Sequence, residues 1–208
     1  MTNAELKNIT SRFDEVKLLI EKQNTLLNET NKVRRRLKTK IRKYAFLKNM
    51  VDIDSCGDKL VNSIVQCFKE IGFNDIENVD KKYKDEDIRL FTNDTLILFE
   101  ITGIDKANPT DDKVHRISKH IPIRQKKHPT LKVFGVFMVN HDNKKHFSNR
   151  EKKPFRKALS DIAKEHKYTI TTTIDLLVAF IRIKSGKLSK EELIKKLCST
   201  GELKIWGT

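Results

Sequence analysis

The first fifty residues contain nothing that interrupts a helix. Neither glycine nor proline occurs before Gly57, and these two residues are the ones that most weaken a helix interior. A seven-residue repeat runs through the same stretch, with its a and d positions starting at Leu6 and Ile9. Nine of the twelve a and d positions up to Tyr44 are apolar. The segment is therefore predicted to be one long helix with a seam of the coiled-coil type.

The ends and the polar members of this seam set further expectations. Thr2 and Glu5 form a capping box, which predicts where the helix begins. Gln23, Thr30 and Arg34 interrupt the seam, and polar seam residues weaken a coiled coil while fixing its register. The helix could pack on its own domain. The length and narrowness of the seam instead favour a homodimer through residues 1–44, with parallel helices expected.

The charge of the chain is concentrated near the end of this helix. Lysine and arginine number 43 against 28 acids, giving a net charge of +15, and such a field attracts polyanions. From Lys32 to Lys48 no acid intervenes. A charge run is often only a solvated face, but one this dense repels itself unless an anion neutralises it. Sequence-independent phosphate contact is the favoured interpretation, with Arg34, Arg35, Arg36, Lys38 and Lys40 as the predicted contacts.

Several classes of protein are disfavoured. The amino terminus lacks the apolar region of a signal peptide, and no apolar run approaches the length of a membrane span. The cysteines are three and widely spaced, which fits neither a disulfide framework nor a zinc site. A cytoplasmic location is expected. No glycine-rich phosphate loop and no nucleophile motif occur.

Beyond residue 54 the pattern alternates between helices and strands. Each predicted strand is short and apolar or alternating, and the helices have apolar residues at helical spacing. The expected helices are 60–71, ending at Gly72, then 111–121, 154–166 from Pro154, and two more capped by Thr172 with Asp175 and by Ser189 with Glu192. The expected strands are 76–79, 87–91, 96–102, 131–140 and 168–171. This order predicts an α/β sheet covered by helices on both faces.

Two acids stand out among these strands. Asp87 begins one strand, and Glu100 lies inside the apolar run of the next, where a carboxylate is costly to bury unless it is paired or binds metal. Antiparallel pairing through the short turn between them would bring the two carboxylates together. They would then repel, and a divalent cation such as Mg²⁺ would relieve the repulsion. The alternative is that Glu100 faces solvent at a strand end and Asp87 is a turn residue.

The spacing of these acids resembles the PD-(D/E)XK nuclease superfamily. In that family an Asp opens one strand and a (D/E)-x-K triplet lies on the next, as Asp87 and then Glu100-Ile101-Thr102-Gly103 do here. The order of later segments is similar too, and the resemblance covers residues 55–185. These segments are Val114-His115-Arg116-Ile117, the strand ending in Asn140-His141, Arg150 with Pro154 and Phe155, and Thr171 through Leu177.

The resemblance implies a restriction-endonuclease-like mixed sheet flanked by helices, preceded by the long helix of residues 1–50 and followed by a helix and tail at 186–208. It implies hydrolysis of nucleic acid, DNA in the first instance, with Mg²⁺ or Mn²⁺ held by Asp87 and Glu100. Thr102 stands where the family has lysine, so the alternative is a domain of the same fold that binds nucleic acid without cutting it. Lys106 and Lys113 are nearby candidates to replace that lysine, and Glu70 is a candidate additional acid. Further nucleic-acid contacts are expected at Lys113, Arg116, Lys144 and Lys145.

Overall fold

A computed structural model of the chain describes residues 3–79 and 86–205, with side chains described from residue 15 onward. The chain divides into two compact units, Met1–Ala45 and Phe46–Thr208. None of the described helices is both long enough and apolar enough to cross a membrane.

The first unit is a single helix, α1 (Asn3–Lys43). The predicted long helix is confirmed as far as Lys43, where it ends instead of continuing to residue 50, and a separate helix begins at Ala45. Its capping box at Thr2 lies outside the described residues. The apolar seam residues that the structure describes are exposed, with Val16 at 52%, Leu27 at 57% and Ile41 at 70%. Self-association through these residues stays a prediction.

The second unit is built on a six-stranded mixed sheet with strands in sequential order. Strands β1 to β3 are antiparallel neighbours, and β3 to β6 run parallel. The strands are β1 (Ile76–Asn78), β2 (Ile88–Phe91), β3 (Thr95–Gly103), β4 (Lys132–Asn140), β5 (Thr169–Thr172) and β6 (Gly201–Glu202). The helices of this unit are α2 (Ala45–Val51), α3 (Gly57–Ile71), α4 (Asp111–Lys127), α5 (Lys157–Glu165), α6 (Thr173–Lys184) and α7 (Lys190–Leu197), with a 3₁₀ turn at Phe147–Asn149.

Alternate side chains of the central strand β3 face two different cores. Ile97 and Phe99 belong to a cluster with residues of α2, α3, α6 and α7. Leu96 and Leu98 belong to a second cluster, with residues of α4 and α5. Because both faces are covered, β3 is apolar along nearly its whole length, as parallel central strands are. The predicted α/β sheet with helices on both faces is confirmed.

Helix α4 continues six residues beyond its predicted end at Ile121, through Pro122. The prediction stopped there because proline removes a helix hydrogen bond. Tertiary contacts compensate. A Cβ on Gly135 would lie only 2.7 Å from Ile121 Cδ1, so the helix packs closely on β4. Beyond the proline, the Gln125 side chain donates to the carbonyl of Leu131 at 2.8 Å.

The helix predicted from Pro154 begins instead at Lys157, so that prediction was wrong by three residues. Phe155 is buried in the core beside α4 and α5. Arg156 has extended backbone angles and acts as the N-cap, and its side chain donates to Asp111 at 2.8 Å. Anchoring of these two side chains holds the chain extended past the proline.

The carboxyl-terminal segment adds to the sheet. Both predicted capping boxes, Thr172 with Asp175 and Ser189 with Glu192, are present. Strand β6 was not predicted, since two residues carry no periodicity. It pairs with β5, and Leu203 just after it packs in the core with the apolar face of α7.

Candidate active site

Asp87 immediately precedes β2, and Glu100 lies in the neighbouring strand β3. The last paired residues at this end of the two strands are Ile88 and Phe99, next to Asp87 and Glu100 in the chain. The Asp87 N–H donates to the carbonyl of Phe99 at 2.9 Å, which holds Asp87 against β3. Side chains alternate along β3, so Glu100 shares a face with Leu98, the face covered by α4.

Glu100 is almost fully buried, with 9% of its surface exposed. Its Oε1 lies 3.6 Å from Nη1 of Arg116 on α4. The Arg116 side chain is 62% exposed, so this ion pair sits at the boundary between core and solvent. A carboxylate so placed is stabilised by a nearby cation, which compensates part of the loss of hydration.

Asp87 is half-buried, and one of its oxygens is oriented by the backbone. The N–H of Ile101, the residue after Glu100, donates to Asp87 Oδ2 at 2.5 Å. This bond crosses between the strands and holds the Asp87 carboxylate beside the Glu100 backbone. The strand pairing and this side-chain bond together position both acids at one place on the sheet.

The acid next in sequence, Glu86, has a different environment. It is fully buried and accepts hydrogen bonds from Arg124 Nε at 2.7 Å and Nη2 at 3.0 Å, and from Arg89 Nε at 2.5 Å. His120 Nδ1 lies 3.7 Å from the same carboxylate. Burial works to raise the pKa of Glu86, but the hydrogen bonds from Arg124 and Arg89 outweigh it, so the pKa lies below its ordinary value.

Sequence reasoning did not identify Glu86 or Arg124. The two residues are 38 positions apart and no spacing rule connects them. Their pairing ties the start of β2 to the far half of α4, immediately before Asp87. Glu86 therefore acts as an anchor for the site, and its carboxylate is already bonded to arginines.

The predicted additional acid, Glu70, lies near the end of α3. The beginning of α3 lies beside the end of β3, where a Cβ on Gly103 would meet the Ser55 carbonyl at 2.5 Å. Glu70 lies thirteen residues after Gly57, about 20 Å along the helix axis. The C-cap Gly72 borders the turn before β3, at the opposite end of that strand. That Glu70 joins the site stays a prediction.

Thr102 and the two lysines that could replace the family's lysine lie on β3, on α4 and in the loop after β3. Thr102 is two positions after Glu100 on the same face of β3 and is half-exposed. Lys113 lies in the first turn of α4, three residues before Arg116, so the two side chains project to the same side of the helix. Lys106 lies in the loop after β3, where its carbonyl accepts from the N–H of Asp142.

The loop after β4 is a buried polar network at the same end of the sheet. Arg150 donates to the side chain of Asn140 and to the carbonyl of Val51, the latter at 2.8 Å. The Asn140 amide donates in turn to the Ser55 carbonyl at 3.0 Å. These bonds join β4 to the segment between α2 and α3. The segments of the family resemblance around Asn140 and Arg150 thus have a structural role here.

The predicted phosphate-binding residues fall into two groups. Arg34, Arg35, Arg36, Lys38 and Lys40 are all exposed on α1. Lys144 and Lys145 are also exposed but paired, the first with Asp54 and the second with Asp142 at 3.2 Å. Partial neutralisation makes the second group the weaker attractant for an anion.

The acid pair fits a magnesium ion by the chemistry of its donors. Among residues 3–79 and 86–205 no group of three or more His, Cys, Asp or Glu side chains is arranged to hold a metal. Mg²⁺, however, is commonly held by one or two carboxylates, with water and substrate phosphate supplying the other oxygens. Asp87 and Glu100 are such a pair.

Among solved structures, the chain is similar to the restriction endonuclease FokI. The match to FokI alone has a TM-score of 0.54 at 12% identity and covers 71% of this chain and 28% of FokI. The match to FokI bound to DNA has a TM-score of 0.57 at 14% identity and covers 78% of this chain and 30% of FokI. The chain thus spans less than a third of the FokI chain.

No family model matches the sequence, and no curated protein matches it. The likeness at this identity is one of fold. It agrees with the mixed six-stranded sheet and its flanking helices. The chain has a restriction-endonuclease-like fold.

Proposed function

We propose that this protein is a metal-dependent nuclease that hydrolyses phosphodiester bonds of DNA at Asp87 and Glu100. The observation that carries the proposal is the attachment of Asp87 to β3 on either side of Glu100, through its N–H to the Phe99 carbonyl and through its carboxylate to the Ile101 N–H. A fold of the restriction-endonuclease type, shared with FokI, supports it.

The two acids share one part in this mechanism, which is to hold the metal ion. Asp87 and Glu100 would hold Mg²⁺ or Mn²⁺, and a bound divalent cation would lower the pKa of its water and neutralise charge on the scissile phosphate. The Ile101 N–H fixes Asp87 Oδ2, and this bond also sets the direction of Oδ1. The rigid strands preorganise both oxygen donors, so little reorganisation is needed when substrate binds.

Arg116 supplies positive charge that Thr102 lacks. Threonine has a hydroxyl group but no charge, whereas the Arg116 guanidinium already lies 3.6 Å from Glu100. In this proposal Arg116 shifts from the carboxylate to the substrate phosphate, for which its planar fork is well suited. Its high exposure leaves the side chain room to make this change.

The basic segment of α1, residues 32–43, would add phosphate contacts without reading sequence. It carries eight basic residues and no acid. The FokI structure with DNA bound supports DNA as the polymer. We further propose that two copies associate through the seam of α1, because its apolar residues are exposed along the helix.

A second candidate function is a nucleic-acid-binding or scaffolding dimer that keeps the nuclease fold without cleavage. Thr102 favours it, because the position held by lysine in the resembling family has no charge here. In that case the Arg116–Glu100 pair would be only a structural contact between α4 and β3.

Cleavage assays with matched variants separate the two functions. Plasmid and single-stranded DNA, and RNA, are incubated with the full chain and Mg²⁺ or Mn²⁺. Cleavage is expected in the wild type, lost in Asp87→Ala and Glu100→Gln, and kept in Asp161→Ala, an exposed acid on α5. Thr102→Lys is expected to raise cleavage if the absent charge limits the rate. If the wild type and Thr102→Lys cut no substrate with either metal while binding persists, the second function stands.

The salt dependence of binding tests the basic segment. Removing one phosphate-binding side chain should reduce the slope of log K against log salt by about 0.9 for duplex DNA. Neutralising Arg34, Arg35 and Arg36 to glutamine is therefore expected to flatten the slope by about three such steps. Neutralising Lys144 and Lys145 is the matched comparison, with a smaller effect because both are ion-paired. An unchanged slope in the first variant would show that the segment is only solvated.

A further inference from the structure

The exposed apolar stripe of α1 is broader than its a and d seam. Leu19, Leu26 and Val33 occupy successive g positions of the repeat and are 64%, 58% and 53% exposed. Each lies beside an a position. Between residues 16 and 33 apolar g residues thus widen the a and d seam on one flank, while the e positions on the other flank are polar, namely Lys17, Asn24, Asn31 and Lys38.

This asymmetry distinguishes the two ways of pairing two copies. In a parallel pair each g residue lies beside the e residue five positions later in the other copy. Leu19, Leu26 and Val33 would then contact Asn24, Asn31 and Lys38. Three apolar side chains would meet polar partners, and their burial would be incomplete.

An antiparallel pair matches like with like. Aligning the copies so that facing seam residues have numbers summing to 57 places every a residue opposite a d residue. Ile20 then faces Leu37, and Ile41 faces Val16. In this alignment the g positions of the two helices lie side by side, so that Leu26 of one copy packs between Leu26 and Val33 of the other. The apolar flank closes on itself.

The polar residues of the seam also favour the antiparallel pair. In a parallel pair Arg34 would face Arg34 of the second copy, and two like charges in a seam repel. In the antiparallel alignment Arg34 faces Gln23, whose amide oxygen can accept from the guanidinium. Thr30 faces Leu27, and its hydroxyl already donates to the carbonyl of Leu26 at 2.8 Å.

Charge along the helix favours this orientation independently. The basic segment carries eight positive charges, which a parallel pair would place side by side. The antiparallel alignment instead places residues 32–43 opposite residues 14–25, which contain three acids and two lysines. Repulsion between the basic segments is therefore largely avoided without any bound anion.

We propose that two copies of this chain pair through α1 as an antiparallel helix pair, with Arg34 of each copy facing Gln23 of the other. This deepens the self-association proposed above and replaces the parallel arrangement expected from the seam alone. Lys43 of one helix then lies beside residue 14 of the other. The points where the two helices enter their nuclease-like units are about 44 Å apart along the pair, and the two basic segments lie at its opposite ends.

Disulfide cross-linking of the full chain tests the orientation. In a Cys56→Ser, Cys198→Ser background, chains carrying Val16→Cys are mixed with chains carrying Ile41→Cys, unfolded and refolded together, and then oxidised. Cross-links are expected between the two variants and not within Ile41→Cys alone. Leu18→Cys, at an outward-facing f position with 67% exposure, is the control for random collision and should not cross-link.

A distance measurement that leaves the seam intact provides the second readout. A spin label at Thr39→Cys, also at an f position, is expected to give an intermolecular distance of about 30–40 Å in the antiparallel pair and about 20 Å in a parallel one. A distance near 20 Å, or cross-linking within Ile41→Cys alone, would overturn the antiparallel orientation while leaving self-association intact. A dimer without cross-links between the two variants would overturn the register. A monomer in sedimentation would overturn the pairing itself, and neither outcome bears on cleavage at Asp87 and Glu100.

Discussion

Two glutamates on the same side of the sheet, Glu86 and Glu100, differ in the groups that compensate their negative charge. Glu86 is fully buried and accepts three hydrogen bonds from two arginines. Glu100, in the next strand, has Arg116 at 3.6 Å, and that arginine is largely in solvent. A carboxylate held by buried arginines stabilises the fold. One beside an exposed arginine lies at the boundary between core and solvent.

The difference also shows why proximity in sequence is a poor guide to role. Glu86 and Asp87 are adjacent, but one faces Arg124 and the other accepts from the N–H of Ile101. The first anchors α4 to the sheet, and the second is positioned beside Glu100. Adjacent acids thus differ here in the groups that contact them.

The largest expected effect comes from removing the anchor. Glu86→Ala leaves Arg124 buried without its carboxylate partner, and breaking such a pair costs about 3–5 kcal/mol of unfolding free energy. Glu100→Gln is the matched comparison, with an expected change of less than about 1 kcal/mol, because the arginine beside it can turn to water. Urea denaturation of the full chain measures both. Equal losses of unfolding free energy in the two variants would contradict the anchoring role of Glu86.

A smaller effect is expected from Arg116→Gln. Removing a cation that stabilises charge in the transition state should slow cleavage by about 10–100-fold, or about 1.4–2.7 kcal/mol. Arg116→Lys should recover part of the rate, and Lys119→Gln on the same helix is the matched control. In the absence of DNA, Arg116→Gln should bind Mn²⁺ more tightly than the wild type, since the competing cation is gone. Unchanged cleavage and unchanged Mn²⁺ affinity would limit Arg116 to a structural contact.

The smallest effect is a difference in pH dependence. The pKa of Glu86 is lower in the folded protein than its ordinary value of 4.5, despite burial, because of its arginine partners. Its contribution to stability is therefore complete above that value and is lost as the pH falls through the folded-state pKa. Below pH 4.5 the unfolding free energy of the wild type should fall more steeply with falling pH than that of Glu86→Gln. The difference in slope corresponds to the uptake of at most one proton on unfolding. Parallel curves would contradict the role of the ionised carboxylate.

Much of the fold was predictable because local rules determine it. Gly72 adopts the left-handed conformation with φ of 107° that ends α3, and the capping boxes at Thr172 and Ser189 form as their sequences predict. The antiparallel pairing of β2 with β3 follows from the short turn between them. Such features depend on a few neighbouring residues.

Other features depend on contacts between distant segments and left no local signal. Helix α4 passes through Pro122 because Ile121 packs on Gly135, fourteen residues later. Glu86 accepts hydrogen bonds from Arg124, and no spacing rule relates the two residues. Only the assembled sheet decides these points.

The central claim is that Asp87 and Glu100 together bind the divalent cation of a nuclease. Titration of the full chain with Mn²⁺, with free Mn²⁺ followed by electron paramagnetic resonance, tests it without requiring a substrate. One bound ion is expected for the wild type and for the Asp161→Ala control, and loss of that binding in both Asp87→Asn and Glu100→Gln. Undiminished binding in either of the last two variants would contradict the claim.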